Sequence, residues 1–263
     1  MFLVLRQNPY DTIQATFFKQ KGNDNDNDNA SAEYSQKMIR YLKQLSLESI
    51  IDTKGTIVPA NVKSCTIDNV EIQIDRVYGV SKANPILPFL VEDAARSEAE
   101  IESSQDTDRP HPRLGQELRL DHRWLDLRTP ANNAIMQLKS AICQLFRQSL
   151  CTQNFIEIQT PKLMQGESES GAGVFTTDYF GKVACLAQSP QLCKQMCISS
   201  DMQRVFEIGP VFRAENSNAR RHSCEFIGLD MEMSIYEHYY ETLHMLHYVF
   251  KHIFNGLEEQ CKH

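Results

Sequence analysis

The pattern that most constrains the fold of this chain lies in residues 204–235. Two runs rich in β-branched and aromatic residues, 205–214 and 225–235, flank a polar stretch at 216–224. Runs of this kind separated by a short polar segment predict two antiparallel strands joined by a loop. A strand points successive side chains to opposite faces, so the hairpin should present one polar and one apolar face.

The two faces of this hairpin differ in chemistry. On the second strand, the face predicted to lie in the core carries Ile227, Leu229, Met231, Met233 and Ile235. The other face carries Phe226, Gly228, Asp230, Glu232 and Ser234, and the first strand adds Arg213 and Glu215 to it. An arginine fork suits phosphate oxygens, an exposed ring can stack on a purine, and a carboxylate can hold an ammonium group. The polar face therefore predicts a nucleotide and an amino acid bound side by side, although a merely solvated charged face would show the same alternation.

The sequence of the hairpin resembles that of a known family. FRAEN at 212–216 is followed by a loop rich in Arg and His and then by EFIGLDMEMS at 225–234. This succession resembles motif 2 of the class II aminoacyl-tRNA synthetases, and among them that of the aspartyl-tRNA synthetases of the eukaryotic and archaeal type. The resemblance implies an aspartate–tRNA ligase, which activates L-aspartate with ATP to aspartyl-adenylate and transfers it to tRNA(Asp).

The resemblance also implies which residues bind ATP. Arg213 would neutralise the α-phosphate, Phe226 would stack on adenine, and Glu215 would fix adenine or Arg213. Arg213 and Glu215 are the implied catalytic residues, and positioning and charge stabilisation would supply most of the rate. The full implied ATP site comprises Arg213, Ala214, Glu215, Arg221, His222, Ser223 and Phe226.

Two further segments resemble the amino-acid site of the family. GESESGAGVF at 166–175 is similar to the mobile loop that closes over the amino acid, and AQSPQLCKQ at 187–195 is similar to the segment that selects it. The implied aspartate-binding residues are Ser168, Glu169, Gln191, Lys194 and Asp230. Lys194 would pair with the substrate side chain, and an ammonium in a dry pocket favours aspartate over the neutral asparagine.

The N-terminal part of the chain has a different pattern. Short alternating strands interrupted by one helix are typical of a small barrel or a sandwich. FLVLRQ, TIQ, SLESIIDTKGTIV and NVEIQIDRVYGVS resemble the OB-fold anticodon-binding domain of the family, and Phe2, Gln14 and Glu71 are the implied anticodon-binding residues. Stacking on an aromatic side chain is the usual way in which such a face holds unpaired bases.

The expected fold class is α+β, with an OB-fold β-barrel that is incomplete at its start, followed by a partial class II catalytic domain with an antiparallel sheet flanked by helices. We place the barrel at 1–92, a linker at 93–128 and the catalytic part at 129–263. The low-complexity tract at 22–31 predicts a disordered insertion. The arginine-rich end of the linker is predicted to be largely solvated, with contacts to tRNA as the alternative.

Helical periodicity predicts two long amphipathic helices in the second half of the chain. The core face predicted for the first helix carries Ile135, Leu138, Ile142, Leu145, Phe146 and Ser149. The core face predicted for the second helix carries Tyr239, Leu243, Leu246, Phe250, Ile253 and Leu257. The first helix with FIEIQTPKLM at 155–164 resembles motif 1, which implies a homodimer.

Composition excludes some functions. The net charge of −7 argues against a general nucleic-acid coat, and neither a bilayer-spanning run nor a signal peptide is evident, so a cytoplasmic protein is expected. The eight scattered cysteines and the histidines near the end lack the spacing of a metal site, so we expect free thiols and no protein-bound metal here. The family's Mg²⁺ ligands would belong to a C-terminal region.

The sequence after Ile235 shows no resemblance to motif 3, the glycine-rich strand and helix whose arginine binds ATP in class II enzymes. We therefore expect a fragment with little or no aminoacylation activity of its own, and rapid charging of tRNA by the purified chain would contradict this. Two alternatives stay open. One is an asparaginyl- or lysyl-tRNA synthetase of the same subclass. The other is a non-catalytic tRNA-binding protein, whose RNA binding would survive Arg213→Ala.

Overall fold

The computed structural model describes residues 1–18, 26–169, 173–217, 219 and 221–261, with the backbone alone described for 26–31. The chain divides into two compact units, Met1–Ile135 and Met136–His263. Both units combine helices with β-sheets, so the expected mixture of α and β structure is confirmed. Within the described ranges, no helix is both long and apolar enough to cross a membrane.

A four-stranded sheet forms the centre of the first unit. Its elements are β1 (Phe2–Arg6), β2 (Thr12–Thr16), α1 (Asp26–Gln44), β3 (Ile50–Pro59) and β4 (Ile67–Ser81). The strand order is β1-β2-β4-β3, with β2 and β4 parallel and the other pairs antiparallel. Among the strands that the structure describes, the two edges do not pair, so this sheet is open. Residues 22–25 of the predicted insertion lie outside the described residues.

The predicted linker contains four short helices, α2 (Val91–Ala95), α3 (Glu98–Ser104), α4 (Gln116–Asp121) and α5 (Arg123–Asp126). Several arginines of this segment form ion pairs. Arg119 and Arg123 both bind Asp126, whose side chain is 2% exposed. Arg113 pairs with Glu98 at 2.6 Å with its own side chain 60% exposed, and Arg128 pairs with Glu48 at 2.7 Å. The pairs at Asp126 therefore stabilise the segment, while Arg113 stays largely in solvent.

The described part of the second unit contains two three-stranded sheets and three helices, the first of which begins in the first unit. Its elements follow in the order α6 (Pro130–Cys151), β5 (Ile156–Glu157), β6 (Leu163–Met164), β7 (Thr176–Tyr179), β8 (Lys182–Leu186), α7 (Gln191–Ser199), β9 (Arg204–Phe212), β10 (Glu225–Met233) and α8 (Tyr240–Gln260). The sheets have the orders β10-β9-β5 and β6-β8-β7. Strands β9 and β10 form the predicted hairpin, with nine consecutive antiparallel pairs.

The core of this unit covers only one end of the hairpin. Phe206 is fully buried with residues of α6 and α8, and Met231 and Met233 pack against the same cluster. Ile227 and Ile235, which we predicted to be core residues, are each 50% exposed. The prediction was also wrong for Leu229, which is 36% exposed. Alternation assigned the correct face, but the helices cover that face only near Met231.

The predicted helix faces were correct only in part. On α6, Leu145, Phe146 and Ser149 are buried, but Ile135 and Leu138 are 50% and 37% exposed. On α8 the buried residues are Met245, Val249, Ile253 and Gly256. The predicted core residues Tyr239, Leu243, Leu246 and Phe250 are 37–57% exposed. Helix α8 carries apolar side chains on two sides, so periodicity alone could not select the buried one.

A buried ion pair joins β9 to the segment before β6. Glu207, 4% exposed, accepts hydrogen bonds from Lys162 Nζ at 2.8 Å, from Thr160 N at 3.0 Å and from Thr160 Oγ1 at 2.7 Å. Burial acts to raise the pKa of Glu207, but the hydrogen bonds from Lys162 and Thr160 outweigh it and hold the pKa below its ordinary value. The ionised carboxylate therefore stabilises the fold.

Glu207→Gln should lower the free energy of unfolding by about 2 kcal/mol at pH 7, because Lys162 loses its partner. A carboxyl group with a depressed folded pKa contributes stability above its unfolded pKa and loses it as the pH falls through the folded value. The difference from wild type should therefore shrink below about pH 4. Urea unfolding measures both effects.

Glu157→Gln is the matched control for this variant. It breaks the more exposed pair with Arg147, which spans 2.7 Å, and should cost less than about 1 kcal/mol. Equal costs for the two variants at pH 7 would contradict the assigned role of Glu207.

Candidate functional site

The polar face of the hairpin has two facing glycines among charged side chains. Gly228 of β10 lies opposite Gly209 of β9, and the next pair on this face is Asp230 opposite Glu207. A Cβ at Gly228 would lie 2.7 Å from Asp230 Oδ2, and one at Gly209 would lie 3.2 Å from Glu207 Oε1 and 3.3 Å from Lys162 Nζ. The two glycines therefore make room for these charged side chains to lie close to the backbone.

The floor of the candidate site, which is the hairpin face that carries Gly209, Gly228 and Asp230, has a buried cation at one end. Lys194 of α7 is 3% exposed, and its Nζ lies 3.4 Å from Asp230 Oδ1, from Glu232 Oε2 and from the carbonyl oxygen of Met231. Gln191 Nε2 donates to Glu232 Oε2 at 3.2 Å. Strong ammonium–carboxylate contacts are about 2.7–2.9 Å long, so the ammonium is held loosely. A ligand carboxylate can therefore form a shorter contact with Lys194 than its present partners do.

A second cation lies at the other end of the floor. The guanidinium of Arg213, just after β9, lies over the ring of Phe226 at 5.6 Å from its centroid. Arg213 Nη2 is 3.3 Å from Glu169 Oε2, and Nε donates to the carbonyl of Gln188 at 3.5 Å. A partly exposed ring beside a cation suits a purine next to a phosphate.

The loop that carries Glu169 is fastened by a residue that the sequence analysis did not select. Gln188 is fully buried, and its Oε1 accepts hydrogen bonds from the backbone N–H groups of Ser168 at 3.1 Å and Glu169 at 3.0 Å. The backbone N–H of Gln188 donates to Ser168 Oγ at 3.1 Å. The available signal was its position as the first glutamine of QSPQ, but only the tertiary contacts identify its partners. Residues 170–172 of the predicted mobile loop lie outside the described residues.

The remaining predicted ATP-binding residues lie after β9 and in the hairpin loop. Ala214 N donates to the carbonyl of Gly173 at 2.8 Å. His222 Nε2 lies 3.7 Å from Glu215 Oε2, so these two residues are close together. Arg221 and Ser223 are exposed on the loop, and the structure does not bring them against Arg213.

The first unit brings together the three predicted base-binding residues on its own sheet. Phe2 of β1 is 71% exposed and lies opposite Thr16 of β2. Gln14 Nε2 donates to Glu71 Oε2 at 2.7 Å, and Thr16 Oγ1 donates to Glu71 Oε1 at 3.1 Å. Thr16 was missed by the sequence analysis, and strand alternation from Gln14 was the signal that could have found it.

The described residues do not fit a metal site. They contain no group of three or more His, Cys, Asp or Glu side chains able to hold a metal ion, and all eight cysteines are free thiols. The two carboxylates that do come together, Asp230 and Glu232, share the ammonium of Lys194. We therefore derive no chemical step through Mg²⁺ from these residues.

The geometry of the second unit agrees with a comparison with known families. Residues 115–263, more than half of the chain, match the family described as tRNA synthetases class II (D, K and N). The chain belongs to the class II tRNA synthetases. The resemblance noted in the sequence is therefore confirmed at the level of this family.

Individual relatives point to one branch of the class II synthetases. The chain is 53% identical to aspartate–tRNA ligase 2, cytoplasmic, of Arabidopsis thaliana over 86% of its length, and 44% identical to the cytoplasmic aspartate–tRNA ligase of Homo sapiens over 98%. A solved aspartyl-tRNA synthetase from Entamoeba histolytica matches 98% of the chain with a TM-score of 0.79 and 38% identity. The chain spans 40%, 49% and 49% of these relatives, which is about half of their length.

The buried ammonium gives a direct test of the site's electrostatics. Lys194→Met should lower the free energy of unfolding by about 2 kcal/mol at pH 7, because Asp230 and Glu232 lose the cation between them. Lys182→Met is the control, since Lys182 is exposed on β8, and should change stability by less than about 0.5 kcal/mol. Urea unfolding that gives the same small change for both variants would contradict this geometry.

Proposed function

We propose that this chain carries the amino-acid and nucleotide site of an aspartate–tRNA ligase that activates L-aspartate with ATP and transfers it to tRNA(Asp) in protein synthesis. The observation that carries the proposal is the buried ammonium of Lys194, which lies beside Asp230 at one end of a floor that has Arg213 and Phe226 at the other. The aspartate–tRNA ligase relatives support this choice within the class II family.

The proposed ligand positions follow from charge. The side-chain carboxylate of aspartate would bind Lys194, and its ammonium group would lie between Asp230 and Glu169. Its α-carboxylate would then face the α-phosphate of ATP, held by Arg213 with adenine stacked on Phe226. Gln191 would contact the amino acid and hold Glu232.

Catalysis would proceed in two steps at this floor. The α-carboxylate attacks the α-phosphorus, a bond forms between carboxylate oxygen and phosphorus, and pyrophosphate leaves. The terminal ribose hydroxyl of tRNA then attacks the aspartyl carbonyl and AMP leaves. The side chains position the reactants and Arg213 neutralises charge that builds on the phosphate oxygens. Arg221, His222 and Ser223 are proposed to meet the β- and γ-phosphates when ATP binds.

Selection of aspartate would depend on pairing a buried charge. Asparagine would leave the Lys194 ammonium without a ligand counter-charge, and lysine would bring a second cation against it. This electrostatic difference favours aspartate over asparagine and lysine, the substrates of the two sister enzymes in the same subclass.

Binding of three non-hydrolysable aminoacyl-adenylate analogues tests this selection. We expect the sulfamoyl-adenosine analogue carrying aspartate to bind this chain at least tenfold more tightly than the asparagine or lysine analogue, because only the aspartate side chain adds a counter-charge beside the Lys194 ammonium, and tenfold corresponds to about 1.4 kcal/mol. Isothermal titration calorimetry measures the three affinities.

Lys194→Met should abolish the preference for the aspartate analogue, and Lys182→Met should retain it. An asparagine or lysine analogue that binds wild type as tightly as the aspartate analogue would refute the proposed specificity. Absence of binding by all three would refute the proposed site.

We propose that residues 1–92 of the first unit form an OB-fold domain that binds the anticodon of tRNA(Asp). Residues 93–128 would be the linker, and 129–263 the catalytic part. Support comes from the exposed ring of Phe2 beside the polar pair Gln14 and Glu71 on one sheet face. A ring can stack on one unpaired base, and the amide and carboxylate can bond to base edges.

Phe2→Ala should weaken binding of a short RNA hairpin carrying an aspartate anticodon by about tenfold, the lower range for loss of one base–aromatic stack. Fluorescence anisotropy measures this affinity. Val80→Ala removes a similarly exposed apolar side chain, 61% exposed, and should leave the affinity within twofold. An equal loss in both variants would contradict a specific stack on Phe2.

The cellular setting is proposed from the same relatives. Both ligases named above are described as cytoplasmic, which supports a cytoplasmic location for this protein. The exposed apolar residues Ile135 and Met136 on α6, 50% and 51% exposed, support a homodimer through the motif 1 region.

A further inference from the structure

We propose that Gln188 is a positioning residue that sets the direction of Glu169 and couples the loop at 166–169 to Arg213. This inference rests on the proposed function, because it concerns how the same site holds the ammonium group of the amino acid. Gln188 lies between β8 and α7 and belongs to neither element.

The backbone around Gln188 is fixed by its neighbours. Ala187 N donates to the carbonyl of Lys162 at 2.9 Å, and the carbonyl of Ala187 accepts from Phe212 N at 3.0 Å. Ala187 is therefore pinned between the segment before β6 and the end of β9. Gln188, the next residue, starts from a point with little freedom to move.

The side chain of Gln188 transmits this rigidity to the loop. Its Oε1 is the common acceptor for two successive backbone N–H groups, those of Ser168 and Glu169. The backbone N–H of Gln188 donates to Ser168 Oγ. Three hydrogen bonds thus connect one buried residue with two loop residues. Two converging N–H donors fix the orientation of the peptide between Ser168 and Glu169, and with it the direction of the Glu169 side chain.

The carbonyl of Gln188 extends the connection to the phosphate-binding end of the site. It accepts from Arg213 Nε at 3.5 Å, while Arg213 Nη2 lies 3.3 Å from Glu169 Oε2. Gln188, Glu169 and Arg213 therefore form a closed triangle of polar contacts. A phosphate that draws Arg213 away from Glu169 would free that carboxylate for an ammonium group, while Gln188 keeps the loop backbone in place.

The inference assigns different functions to the two ends of Gln188. Its side chain would serve the amino-acid half of the ligand through Glu169, and its backbone carbonyl would serve the nucleotide half through Arg213. A substitution that removes the side-chain amide and keeps the backbone carbonyl should therefore affect the two halves unequally. A residue that merely fills space in the fold would affect both halves together.

The test uses the complete 263-residue chain. Gln188→Met keeps the length of the side chain but removes the amide oxygen and the amide NH₂ group, and Gln188→Glu restores an acceptor oxygen without the NH₂ group. Gln203→Met is the matched control, because Gln203 is exposed in the turn before β9. Calorimetry is performed with the aspartyl sulfamoyl-adenosine analogue and with ATP alone, and hydrogen exchange is followed at residues 166–169 without ligand.

We expect Gln188→Met to weaken binding of the aspartyl analogue at least tenfold and to leave the affinity for ATP within twofold of wild type. Amide hydrogen exchange of Ser168 and Glu169 should become at least tenfold faster. Gln188→Glu should recover most of the analogue affinity and protection, and Gln203→Met should resemble wild type. Equal weakening of analogue and ATP by Gln188→Met, or unchanged exchange at Ser168 and Glu169, overturns the inference.

Failure of the proposed function gives a different result. If the wild-type chain does not bind the aspartyl analogue, the proposed function fails and this inference fails with it. If wild type binds the analogue and Gln188→Met binds it equally well, the proposed function stands and only the positioning role of Gln188 is overturned.

Discussion

The site in the second unit depends on the unbroken antiparallel pairing of β9 with β10. Nine consecutive pairs run from Glu225 opposite Phe212 to Met233 opposite Arg204 without a register shift. A slip of one residue would send Phe226 and Asp230 to the opposite face and bring apolar side chains onto the floor. Pairing also sets Gly209 against Gly228, and the missing Cβ atoms leave space for the side chains of Glu207 and Asp230.

The charges on this floor are paired with one another. Lys194 lies between Asp230 and Glu232, and Arg213 contacts Glu169, at distances of 3.3–3.4 Å. These contacts satisfy groups that would be costly to bury alone, yet they are longer than strong charge-assisted hydrogen bonds. In the proposed complex, the carboxylate, ammonium and phosphate groups of the ligands would replace these contacts.

Much of this arrangement could be predicted from the sequence because it depends on local periodicity. Alternation in a strand placed Arg213, Phe226 and Asp230 on one face, and motif resemblance added Lys194 from a separate helix. Alternation could not reveal whether a face is covered, and Ile227, on the face predicted to lie in the core, is 50% exposed. The same limit applied to α8, where two apolar stripes compete and Met245 rather than Leu243 is buried.

Residues whose role depends on tertiary contacts could not be found in this way. The hydrogen bonds that tie Gln188 to the loop reach Ser168 and Glu169, about 20 residues earlier in the chain. The sequence pattern also predicted that the arginines at the end of the 93–128 segment are largely solvated, whereas Arg119 and Arg123 both bind the buried Asp126. Such pairings follow from the fold, and only motif resemblance or coordinates can identify them.

A crystal structure of this chain with the aspartyl sulfamoyl-adenosine analogue would show whether the floor binds aspartate and the nucleotide as proposed. We expect the side-chain carboxylate of the ligand within hydrogen-bonding distance of Lys194 Nζ, its ammonium group beside Asp230 and its adenine stacked on Phe226. A ligand whose carboxylate lies away from Lys194, or whose adenine lies off the ring of Phe226, would contradict this proposal.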